Sequence, residues 1–101
     1  MKNQLINPQE KISQLKQEGF AHVYEWTDKP NTEYLEHSHK GKVSFYVTKG
    51  SISMNIDGIH TMVRAGDRMD VPVGVSHKAK VGPDGCTFIV GEEIKSDLNC
   101  Y

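Results

Sequence analysis

Asp57-Gly58 separates two runs of alternating polarity, Ser51–Ile56 and Ile59–Arg64. This dipeptide favours the two-residue type I′ turn, whose central residues both need φ above zero, so the two runs are expected to pair as a β-hairpin. In the first run Ile52, Met54 and Ile56 alternate with Ser51, Ser53 and Asn55. Successive strand side chains point to opposite faces, so the apolar set faces inward. The same period of two recurs in Phe20–Trp26, Tyr34–His39, Val43–Thr48, Arg68–Val71, Ser76–Lys80 and Cys86–Gly91. In Val43–Thr48, Val43, Phe45 and Val47 are expected to face one way, and Ser44, Tyr46 and Thr48 the other. Turns are expected at Thr27–Asn31, Lys40-Gly41-Lys42, Lys49-Gly50, Ala65-Gly66-Asp67, Pro72-Val73-Gly74 and Val81–Gly85. Short strands at regular spacing predict an all-β sandwich or barrel over about 20–91. The tail from Glu92 is polar and is expected to be irregular.

One helix precedes the strands. Asn7 can cap it, Pro8 suits N1, and Glu10 stands at N3 of a capping box. Ile12 and Leu15 share a face, and Gly19 suits the C′ position, so a short amphipathic helix is expected over 8–18. It is expected to pack on the outside of the domain and to cover a sheet edge.

The chain of 101 residues suits one domain. A net charge of -1 offers no attraction for phosphate, so nucleic-acid binding has no electrostatic support. No apolar run is long enough for a membrane-spanning helix, and the start Met1-Lys2-Asn3-Gln4 leads into a polar segment without a signal-peptide core. These features predict a cytoplasmic protein. Cys86 and Cys100 are accordingly expected to be reduced thiols, Cys86 as a small core residue.

His37 and His39 are one residue apart. On a strand both imidazoles point the same way, whereas on a helix they would diverge by roughly 200°. His77 follows the turn-rich Pro72-Val73-Gly74-Val75-Ser76. Three imidazoles from two segments make a candidate site for a divalent transition metal such as Fe, Zn, Ni, Mn or Cu, with positions left open. Leu35 is expected to share the face of His37 and His39, while Glu36 and Ser38 point away.

These residues also carry a resemblance to the cupins. The first cupin motif reads Gly-x(5)-His-x-His-x(3,4)-Glu-x(6)-Gly, and here Asn31, His37, His39, Val43 and Gly50 occupy its defined positions. The second reads Gly-x(5)-Pro-x-Gly-x(2)-His-x(3)-Asn, matched by Gly66, Pro72, Gly74 and His77, with Val81 at the Asn position. The resemblance implies a double-stranded β-helix, or jelly-roll, barrel with a metal held by His37, His39 and His77. Val43 replaces the motif's metal-binding Glu. Three neutral imidazoles leave a cation's 2+ charge uncompensated, which favours small anionic, bidentate ligands. Cupins lacking the Glu include diketone-cleaving and thiol dioxygenases, so a dioxygenase- or isomerase-like enzyme is one reading. A non-catalytic binding or sensing module without obligatory metal is the other. An isomerase needs a general acid or base, and none is evident.

Val43, Phe45 and Met54 are the candidate pocket-lining residues, since they share the inward face. Tyr34 and Tyr46 could also line a pocket, but core packing is the commoner fate of such residues, and neither shares the expected inward face of Phe45 and Met54. Arg64 and Arg68 could clamp a carboxylate, though turns commonly carry arginine for solubility. His22 and His60 lie outside the motifs and are expected at the surface, and Asp67 is expected to stabilise its turn. Cupins commonly dimerise through sheet edges, so a homodimer is expected, with Tyr24 and Trp26 as contact candidates.

Overall fold

The computed structural model describes residues 6–94. Its elements run in the order α1 (Pro8–Gln17), β1 (His22–Asp28), β2 (Glu33–His37), β3 (Val43–Ile56), β4 (Ile59–Arg64), β5 (Arg68–Val71) and β6 (His77–Glu92). Asn7 caps α1 by accepting from the backbone N–H groups of Gln9 and Glu10 at 2.9 and 3.4 Å. Gly19, with φ of 103°, follows the C-cap Glu18.

Two long strands organise the barrel. β3 and β6 pair antiparallel from Val43↔Glu92 to Ile56↔His77, with register shifts between Val47 and Lys49 and between Gly50 and Ile52. The turn expected at Lys49-Gly50 and the loop expected at Val81–Gly85 are therefore interior bends of continuous strands. Glycine at these places reports close backbone approach. A Cβ on Gly50 would lie 2.0 Å from the carbonyl oxygen of Gly85. The bends divide the pair into two half-sheets. One runs β1, the end of β6, the start of β3, then β5; the other runs β2, the start of β6, the end of β3, then β4. A bulge increases local twist and bends its strand, which lets one strand serve both layers.

The inner faces meet in a core of Val43, Phe45, Val47, Ile52, Met54, Val63, Val71, Val81, Cys86, Phe88 and Val90. The alternation expected for Val43–Thr48 holds: Tyr46 faces outward and packs with Leu15 and Ile89 beneath α1. Leu15 is fully buried there, and burying a leucine contributes about 1.5–3 kcal/mol. The helix thus covers the outer face of a half-sheet rather than its edge. The Asp57-Gly58 turn has φ of 52° and 82°, as type I′ requires, and joins Ile56↔Ile59. Glu92, expected to begin an irregular tail, closes β6. Residues 95–101, with Cys100, lie outside the described residues, as do residues 1–5. No helix among the described residues is long and apolar enough to cross a membrane.

Candidate metal centre

The motif's four glycine positions all occupy left-handed backbone: Asn31 at 64°, Gly50 at 76°, Gly66 at 97° and Gly74 at 74°. Asparagine is among the few other residues that adopt this conformation readily, which explains why Asn31 can stand in for glycine. These turns set where the histidines emerge. His37 ends β2 opposite His77, which opens β6. His39 lies beyond the end of β2, and its carbonyl oxygen accepts from the N–H of Gly74 at 2.9 Å. The turn before β6 is thereby fastened to the segment after β2.

The three rings converge. One nitrogen from each lies within 4.8 Å of the others, and His39 Nε2 is 3.2 Å from His77 Nε2. His39 and His77 are buried, and His37 is partly exposed. Two backbone carbonyls orient the rings: Leu35 O faces His37 Nδ1 at 2.6 Å, and Val75 O faces His77 Nδ1 at 3.0 Å. A carbonyl oxygen only accepts, so both Nδ1 atoms carry hydrogen. Nε2 is then the nitrogen of each neutral ring whose lone pair can coordinate a cation, the arrangement metal-binding histidines use. Burial, followed by the neighbouring His37 and His39, holds the His77 imidazole below its ordinary pKa, against the opposing pull of Val75 O. A neutral imidazole is the ligating form. The donor set therefore fits a divalent transition ion.

Leu35 does not share the histidine face. A register shift between Tyr34 and His37 adds a residue to β2, so Tyr34 and His37 both turn inward while Leu35 is 77% exposed. Tyr34 lines the histidine cavity with Val43, Phe45 and Met54. The free space there is about 30 Å³. That admits an ion with a water or two, since one water needs about 10–15 Å³. A larger ligand must therefore extend beyond this space.

Arg68 serves the fold. Its guanidinium donates to Glu18 Oε1 at 2.7 Å, Asp70 Oδ1 at 2.9 Å and Tyr46 Oη at 2.9 Å. The Arg68 hydrogen bond holds the Glu18 carboxyl down at about 2. A cleft of about 420 Å³ beside this cluster shares Val43 and Val71 with the histidine cavity but is lined by the outward-facing Ser44, Arg68 and Asp70. Glu36 accepts from Ser76 Oγ, and Asp67 Oδ2 accepts from the Arg64 N–H, so both have structural partners. His60 is exposed and His22 partly exposed. Burial, aided by Asp28, pushes the Cys86 thiol up to about 12, which leaves it unreactive.

Reasoning from sequence missed a buried carboxylate. Glu92 is 1% exposed, and Tyr24 Oη donates to its Oε2 at 2.7 Å. The available signal was the period of two: Phe88, Val90 and Glu92 continue one inward face. Tyr24, whose hydroxyl makes this bond, is partly buried and packs against the core.

The family model for the cupin domain matches residues 24–90, and the chain belongs to the cupin family. A search of curated proteins returns no match. Among solved structures, an RmlC-like cupin from Shewanella frigidimarina NCIMB 400 aligns with a TM-score of 0.63 at 26% identity, covering 75% of this chain and 68% of that one. KdgF from Halomonas sp. aligns with a TM-score of 0.63 at 18% identity, over 75% of this chain and 71% of its own, which is a likeness of fold alone. The polyketide cyclase RemF from Streptomyces resistomycificus aligns with a TM-score of 0.62 at 26% identity, over 71% of this chain and 54% of its own.

Proposed function

We propose that the chain is a small metal-dependent cupin in which His37, His39 and His77 hold one divalent transition ion that receives a small anionic metabolite. The observation supporting this most strongly is the convergence of three rings, two of them oriented by backbone carbonyls. A bound ion would supply Lewis acidity and, if it were iron, redox chemistry. The chain supplies the rest. Val43 adds no ligand, so positions stay open for a bidentate donor. Phe45, Met54 and Tyr34 keep the surroundings largely apolar, which strengthens attraction between cation and anion. With about 30 Å³ of free space, only the donor end of the metabolite reaches the histidines. We read the chemistry as dioxygenase- or isomerase-like. RemF, a cyclase, is an enzyme among the structures of similar fold.

The test uses Co(II)-loaded protein. Its visible spectrum should change on adding a bidentate carboxylate such as oxalate, and change much less with acetate. No response to either would remove the anion-binding reading. We further propose a homodimer formed along β1, which is hydrogen-bonded only to β6 among the described strands. Trp26, 46% exposed on β1, is its contact candidate.

A further inference from the structure

The family motif places a carboxylate where this chain has Val43. Glu92 is the direct cross-strand partner of Val43 in the β3–β6 ladder. Residues so paired on one face have Cβ atoms about 4.5–5.5 Å apart. Both residues point inward. Phe88 and Val90 precede Glu92 on the core face, whereas Ile89 packs outside beneath α1 and Gly91 lies against Phe20. Val43 itself lines the histidine cavity.

A carboxylate that is 1% exposed is costly to maintain in an apolar core. Tyr24 Oη donates to it and holds it in place. A negative charge at this place is useful beside a cation.

We propose that Glu92 is the displaced carboxylate of the metal site, carried on β6 instead of β3. It stands outside the three-imidazole group, offsets part of the cation's charge, and leaves the coordination positions open for the ligand's donors. Tyr24 is a positioning residue that fixes the carboxylate by its 2.7 Å hydrogen bond. This role rests on the metal-binding reading above.

The test is Zn(II) affinity, measured by competition with a chromophoric chelator. Glu92→Gln preserves shape and the Tyr24 bond, and should weaken zinc binding about 10–100-fold, the range for partners outside the coordination shell. Val43→Glu combined with Glu92→Gln returns the carboxylate to β3 and should restore at least the parent affinity. Equal zinc affinity in the parent and Glu92→Gln would overturn the role of Glu92 alone. A double variant that binds no better than Glu92→Gln would do the same. A parent that binds none of Zn(II), Fe(II) and Co(II) would overturn the metal reading and this role with it. If Glu92→Gln fails to fold, Tyr24→Phe carries the test: it keeps the carboxylate but loses its tether, and zinc affinity should fall severalfold. Unchanged affinity there would overturn the proposal.

Discussion

Replacing Gly50 by alanine tests the shared bend of β3 and β6. Gly50 has φ of 76°, and a Cβ there would lie 2.0 Å from Gly85 O and 2.9 Å from Gly85 C. Contacts of that kind require backbone to move. The left-handed conformation costs an alanine about 1–2 kcal/mol. Forcing atoms into a packed site typically adds about 1–3 kcal/mol. Together they predict a loss of about 2–5 kcal/mol, a large fraction of the 5–15 kcal/mol typical of a domain. Gly58→Ala is the matched control: its φ is 82°, and nothing lies within 4 Å of the added Cβ. It should lose only the conformational part, about 1–2 kcal/mol. Urea unfolding of parent and both variants, with a shared m-value, reads the difference. Equal losses would refute the argument that the two strands touch at their glycines.

Three further outcomes follow from the site and the sheet edges. Val43→Glu buries a carboxylate across from Glu92, so the metal-free variant should melt well below the parent, and zinc should raise its melting temperature more than the parent's; a variant indifferent to zinc would count against a metal site. Because burial holds His77 below the ordinary value of 6.5, the unfolded chain takes its proton first; the stabilising contribution is complete above about pH 6.5 and is lost as pH falls through the folded value, which acid titration of metal-free parent and His77→Gln should separate. Sedimentation should give twice the 11.4 kDa chain mass, with Trp26→Glu shifting it toward monomer; a concentration-independent monomer would refute the dimer.

The motif spacing and the alternation of polarity carried the barrel, the hairpin and the convergence of His37, His39 and His77. These depend on local backbone preferences and strand period, which are written residue by residue. The continuity of β3 and β6 was not legible, because a glycine with positive φ serves a turn and a bulge alike; Gly50 and Gly85 are distinguished only by meeting each other. Likewise, the extra residue in β2 reversed the faces assigned to Tyr34 and Leu35, since a one-residue shift exchanges every side chain between faces. Glu92 was passed over because a charged residue beside Glu93 resembles a solvated tail, and only pairing with Val43 and Tyr24's bond reveal it as interior.

Elemental analysis of protein purified without an affinity tag tests the central claim most directly. The account predicts close to one equivalent of a divalent transition metal per chain at neutral pH, and loss of that metal from His77→Ala. A parent free of metal after exposure to Fe(II), Zn(II) and Co(II), or a His77→Ala variant that retains a full equivalent, would contradict it.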